Sequence, residues 1–298
     1  MTPGQPRVLV TGAGGFIGRH VLALAPRSWD VVALSRAALS EPVGVVSAIW
    51  SGDPEAPLPP ELNGTFEAVI HLAGNASHGL ATSEPWRDLA VTGGVAASVL
   101  GRISTRRIVL LSSAAVYAGH EGRVDPSLCL EPPMAYGLSK RYVEGFASAL
   151  VARGQVEGLI TLRLYNAFGP GERPSRLIPR IVDAIHADAP FRMSADPTSL
   201  SDPIAVETVA QTLVTAAISD VSGTFDICGG EPVPMPEQVG RIAEALNARV
   251  PVIELKQDPD ETPIHFWSDA APVVRALGVA PGPFRAAVQA YARAAGWL

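Results

Sequence analysis

Cysteine is scarce in this chain: 298 residues contain two, Cys129 and Cys228. Their wide separation excludes a disulfide scaffold and offers no metal-ligand spacing, so a reducing compartment is expected and a metal is not. Charge is thin as well. Charged residues make up 17%, with Lys+Arg at 23 against Asp+Glu at 29, and no basic block appears. A nucleic-acid partner is therefore not expected. The chain also lacks a run of about 18 apolar residues, and no charged leader precedes an apolar stretch. These absences point to a soluble, cytoplasmic protein without a membrane partner. Apolar residues, in contrast, reach 47%, together with 28 Gly and 27 Pro. That composition supplies a sizeable core and many turns, and argues against disorder.

Short apolar runs alternate with helical stretches through the first half. Strands are expected at Arg7–Thr11, Asp30–Leu34, Val43–Ile49, Ala68–Leu72, Arg107–Leu111 and Leu159–Leu164. Their consecutive Val, Ile and Leu suit parallel strands buried on both faces. Helices are expected near Gly15–Ala25, Trp86–Leu100 and Ala135–Ala152. This alternation implies an α/β fold, a doubly wound parallel sheet whose ligands sit at the strand C-termini. After Asn166 the texture is irregular, with helices at Ser175–His186, Val206–Ile218, Met235–Leu246, Ala270–Leu277 and Pro283–Ala295. We expect a dinucleotide-binding unit over residues 1–166, rejoined by a strand near 224–228. Residues 167–298 would form mainly a smaller α/β substrate lobe.

The first strand runs into Thr11-Gly12-Ala13-Gly14-Gly15-Phe16-Ile17-Gly18. In this G-x-x-G-x-x-G spacing, Gly12 permits the tight turn and Gly15 lets backbone N–H groups approach a pyrophosphate. Gly18 lets the helix pack close to the sheet. The second strand ends Leu34-Ser35-Arg36, with no acid at its tip; Asp30 begins that strand and faces the other end. Ser35 and Arg36 can hold a 2′-phosphate, which favours NADP(H) over NAD(H).

Tyr136 and Lys140 lie four residues apart, on one face of the expected helix. A free phenol transfers protons poorly at neutral pH, and a neighbouring ammonium stabilises its phenolate. Ser112-Ser113 closes the Ile108–Leu111 strand, where a hydroxyl can orient a carbonyl or alcohol oxygen.

Together with His71-Leu72-Ala73-Gly74 and Leu162-Arg163-Leu164-Tyr165-Asn166 through Gly171, these motifs come in a familiar order. The stretches Ser201–Ala210 and Phe225–Gly230 extend it. The chain resembles the extended short-chain dehydrogenase/reductases, in their NAD(P)-dependent epimerase/dehydratase branch of nucleotide-sugar enzymes. The resemblance implies Ser113, Tyr136 and Lys140 as the catalytic set. It implies Gly12, Gly15, Phe16 and Ile17 at the pyrophosphate, Ser35 and Arg36 at the adenosine ribose, and Asp53 at the adenine. Leu72, Ala73 and Gly74 would pass along the cofactor, Tyr165 would border the nicotinamide, and Asn166 and Arg176 would reach the substrate. A homodimer through the Trp86–Leu100 and Tyr136–Ala152 helices is implied too.

Departures from that pattern narrow the expectation. Ala114-Ala115 replaces the acidic pair that sugar dehydration needs, and Ser201 replaces an arginine that commonly meets the substrate diphosphate. Thr92 stands where the family has asparagine, between the sheet and two helical glycines, Gly93 and Gly94. His78 and His120 read as solvated loop histidines. The leading expectation is an NADP(H)-dependent 4-ketoreductase of a nucleotide-linked deoxysugar. Alternatives are an epimerase with retained cofactor, a reductase or dehydrogenase of a small carbonyl or sugar acid, and a redox sensor without turnover.

Overall fold

The computed structural model describes residues 5–39, 44–128, 131–194, 196–256 and 263–298; Cys129 and Val43 fall outside them. Strands β1 (Arg7–Thr11), β2 (Asp30–Ser35), β3 (Val45–Ile49), β4 (Thr65–His71) and β5 (Ser104–Ser113) join Gly158–Leu164 and Gly223–Ile227 in one sheet of seven. All pairings are parallel, and the spatial order is 223–227, 158–164, β5, β4, β1, β2, β3. The order reverses beside β1, and that switch point opens a crevice at the strand C-termini.

Why the runs are continuously apolar is visible in β1. Val8 and Val10 pack on one face with Val31, Ala33, Ile70 and the Val206–Ala217 helix. Leu9 faces the other side, with Phe66, Val69, Val99 and Val143. Successive side chains alternate between faces. Both faces are covered, so polar positions drop out and each buried aliphatic contributes about 1.5–3 kcal/mol.

A separate apolar cluster (Phe168, Ile178, Ile181, Phe191, Val239, Ile242, Val288) forms the interior of the second half. Short strands bind distant segments there: Asn166–Phe168 with Pro203–Ala205, Phe191–Ser194 with Ile253–Lys256, and Glu121–Arg123 with His265–Trp267. Thr224–Cys228, expected to return to the sheet, does so as Gly223–Ile227.

The expected Trp86–Leu100 helix exists but changes pitch. Pro85–Leu89 and Val95–Leu100 are α-helical, and Ala90–Gly94 between them is a π-helical turn. Gly93 is required in that turn, since a Cβ there would lie 2.7 Å from the Tyr142 ring. Among the described residues, no helix is long and apolar enough to cross a membrane. Cys228 is a free, buried thiol.

Candidate active site

The glycine turn at the end of β1 is built for a close approach. Gly12 has φ +67, and a Cβ on it would sit 2.9 Å from the backbone of Leu72 and Ala73. A Cβ on Gly18 would come within 2.5 Å of the Gly12 carbonyl, so the Phe16–Leu24 helix lies directly on the turn. That helix begins at Gly15 without a side-chain cap and without an acid in its first turn. Its leading N–H groups are therefore free donors at a positive dipole end, and they fit a pyrophosphate. Thr11 fixes the neighbouring strand end: its Oγ1 accepts from the N–H groups of Leu72 and Ala73 (3.1 Å each) and lies 3.0 Å from His71 Nδ1. Burial, then the Lys140 charge, pushes His71 down to about 3, so it stands there neutral.

At the β2 tip, Ser35 donates to the carbonyl of Ala37, and Arg36 is exposed. The Ser35 Cβ and the Leu39 side chain border Gly14, and the Arg36 stem borders Gly52. Asp53 is exposed and caps its own turn, its Oδ1 accepting from the N–H of Glu55 (3.0 Å).

Tyr136 stands in the first turn of the Ala135–Ala152 helix, and Lys140 one turn later. Lys140 Nζ is 5.5 Å from the Tyr136 ring centroid, and a Cβ on Gly74 would lie 3.6 Å from the same nitrogen. The lysine thus bridges the Leu72–Gly74 segment and the phenol. Ser113 Oγ accepts from the N–H of Ala115 (3.1 Å), the local cap expected of such a serine, and its proton remains able to donate. The turn it opens is pressed on the Ala135–Ala152 helix, where a Cβ on Gly137 would come 2.6 Å from the Ala115 carbonyl.

A buried charge network locks this junction. Glu144, one turn beyond Lys140, accepts from Ser112 Oγ (2.6 Å), Arg141 (2.7 Å) and both Nε and Nη2 of Arg163 (3.0 and 2.9 Å). Arg163 Nη1 donates to the Tyr117 hydroxyl, which donates to Asp226. Burial pushes the Glu144 carboxyl up, but the hydrogen bonds and charge of Arg163 and the Ser112 bond outweigh it, leaving a net downward shift. Tyr165 packs edge-on against Phe266, and Asn166 opens the short strand beside Pro203.

His78, expected to be solvated, is exposed, and its ring also lies on that of Tyr136 with centroids 4.5 Å apart. Its signal was its place just past the end of β4, on the ligand-binding edge of the sheet. The charge of Arg176 reaches it. Thr92 is buried in the π-helical turn, and its Oγ1 accepts from the N–H of Asn75 (3.0 Å). Ser201, at the position where the resemblance expects arginine, is buried, and its hydroxyl lacks a hydrogen-bond partner among the described residues.

Glu172 was also not foreseen. Its Oε1 faces Arg176 Nε at 3.7 Å, and its buried Oε2 has no hydrogen-bond partner among the described residues. Burial, against the opposing Arg176 charge, pushes this carboxyl up from 4.5 to about 7. The unfolded chain ionises first, so this group makes stability fall as pH rises from about 4.5 to about 7 and level off beyond. Glu172→Gln is expected to gain stability at pH 8 relative to pH 4, by up to roughly 3 kcal/mol. Urea unfolding at both pH values measures it, and an equal gap at both would refute the assignment.

The chain is similar to known proteins over most of its length. The NAD dependent epimerase/dehydratase family matches residues 8–228. A UDP-glucose 4-epimerase of Neisseria meningitidis serogroup C is 29% identical over 256 residues, 73% of this chain and 75% of its own length. A GDP-6-deoxy-D-mannose reductase of Pseudomonas aeruginosa is 26% identical over 275 residues, 85% of this chain and 83% of its own. Among solved structures, MoeE5 in complex with UDP-glucuronic acid and NAD superimposes with a TM-score of 0.85 at 25% identity, covering 97% of this chain and 99% of that one.

Proposed function

The chain belongs to the NAD dependent epimerase/dehydratase family, and from that premise we propose that it is an NADP(H)-dependent 4-ketoreductase of a nucleotide-linked deoxysugar. As a member it is an NAD(P)-dependent enzyme of the extended short-chain dehydrogenase/reductase type. The observation carrying the finer reading is the β2 tip, where exposed Arg36 and Ser35 stand and an acid is missing. A carboxylate there would bind the adenosine ribose and repel a 2′-phosphate; a guanidinium attracts one.

Gly12, Gly15, Phe16 and Ile17 would hold the pyrophosphate, and Ser35 and Arg36 the ribose phosphate. Asp53 would meet the adenine, Leu72, Ala73 and Gly74 would flank the cofactor's path, and Tyr165 would border the nicotinamide. Bound NADPH supplies the hydride. Tyr136 gives its phenolic proton to the ketone oxygen, Ser113 orients that oxygen, and Lys140 stabilises the phenolate left behind. Asn166 and Arg176 meet the substrate. A cytoplasmic setting suits this chemistry.

Arg36→Ala should weaken NADPH binding about tenfold or more while sparing NADH. Fluorescence titration reads both, and a wild-type preference for NADH would overturn the cofactor assignment. The second reading is an epimerase with recycled cofactor, favoured by the similarity to UDP-glucose 4-epimerase. NADPH consumed in proportion to product marks the reductase; a bound cofactor that is never consumed marks the epimerase.

We also propose a homodimer. Trp86 is 71% exposed, and Leu89, Leu138 and Tyr142 are exposed on the same two helices, the Pro85–Leu100 segment and Ala135–Ala152. Such a patch on a soluble surface marks an interface. Trp86→Glu combined with Tyr142→Glu should halve the mass seen by light scattering. A monomeric wild type would rule the dimer out.

A further inference from the structure

His78 has no part in the reaction as derived, yet the structure commits it to the proton donor. Its ring tilts only 31° from that of Tyr136 at 4.5 Å. Tyr136 is 8% exposed, whereas His78 beside it is itself exposed. The imidazole is therefore a cover over one face of the phenol ring. Loss of solvent at that face and the Arg176 charge push His78 below its ordinary value, against the opposing pull of Asp88. It covers the phenol as a neutral ring.

The loop that delivers His78 is tied down. Asn75 Nδ2 donates to the Ser77 carbonyl (2.6 Å) and to Asp88 Oδ1 (2.7 Å), while its Oδ1 accepts from the N–H of Ser77 (2.8 Å). Ser77 caps the short His78–Ser83 helix, its Oγ accepting from the N–H of Leu80. Asp88 is completely buried, and its second oxygen accepts from Ser139 Oγ at 2.6 Å. Ser139 stands between Tyr136 and Lys140 on the catalytic helix. One carboxylate thus grips both the loop carrying His78 and the helix carrying Tyr136.

We propose that His78 is a positioning residue for Tyr136, seating the phenol in one orientation, and that Asp88, through Asn75 and Ser139, sets the register between them. The proposal rests on Tyr136 being the proton donor. A tyrosine at a helix start has alternative rotamers, and a ring on its face removes those that swing away from the crevice. Two charged hydrogen bonds to a dry carboxylate make the spacing of the two supports stiff.

Nitration of the purified full chain with tetranitromethane tests this without a substrate. Peptide mass mapping gives the rate at Tyr136 as a ratio to its rate in the wild-type chain. His78→Ala should raise that ratio about fivefold, and His78→Phe, which restores a ring, should bring it back. Asp88→Asn should behave like His78→Ala, because an amide cannot accept from both Asn75 and Ser139 in the same pose. In turnover assays His78→Ala should lower kcat about fivefold and leave the KM for NADPH in place. If His78→Ala does not fold, His78→Gln removes the ring and carries the same expectation. An unchanged ratio in the ringless variant, or no recovery with Phe, overturns the proposal. Tyr136→Phe assayed in parallel separates the two failures. If that variant stays active, the proton-donor reading falls; if it is dead while the ringless variants are normal, only the positioning role falls.

Discussion

On the proposed function, Tyr136→Phe is expected to lower turnover by about two to four orders of magnitude, the usual worth of a placed general acid, while NADPH binding is expected to change little. The reason is local. The phenylalanine ring keeps the contacts with His78 and the Lys140 ammonium, so the pocket retains its shape. Only the transferable proton is lost. Steady-state rates with NADPH titrated by fluorescence measure both quantities. Wild-type turnover in this variant would mean that another group donates the proton, and water held by Ser113 would be the next to test. A parallel loss of cofactor affinity would instead show that the hydroxyl serves binding.

Glu144→Ala is the second large effect. Arg163 and Glu144 are 4% and 7% exposed, and removing the acid strands a guanidinium in the interior. Breaking such a pair costs about 3–5 kcal/mol, which for a chain of this size lowers Tm by roughly 5–8 °C. Glu144→Leu combined with Arg163→Met removes both charges and should recover most of that loss, because the desolvation cost goes with the pair. Calorimetry of the single and double variants decides it; a single variant as stable as wild type would show the pair to be idle. The sign with pH follows from the lowered Glu144 carboxyl. Its contribution is present above the unfolded-chain value and is lost as pH falls through the lower folded value.

The frame of the molecule could be read from residues because burial on both faces leaves a plain mark. Val8-Leu9-Val10 has no polar interruption, and the strand is found at Arg7–Thr11 as expected. The Ala135–Ala152 helix likewise occupies its expected span. The glycine turn was legible too, since Gly12 and Gly18 each answer a steric demand that a Cβ would violate. Less could be read where a residue's meaning depends on a distant partner. Glu144 and Arg163 look like surface charges until the Ser112 hydroxyl, Tyr117 and Asp226 close around them. His78 is exposed, as expected, but its contact with Tyr136 could not be read because the two are remote in sequence. The two glycines at Gly93 and Gly94 implied close packing or a break, and the chain does both, with a π-helical turn pressed on Tyr142.

The strand Gly223–Ile227 limits how this chain could be rearranged by recombination. It fills the open edge beside Gly158–Leu164, and Asp226 answers both Tyr117 and Ser268 from that position. A fragment stopping after residue 166 would leave a row of bare amides on Gly158–Leu164, ready to stick to a neighbour's strand. The first half of the chain is therefore not a portable cassette. Any foreign rear half spliced onto it would have to bring an edge strand in the same register, with an acid at its second-last position.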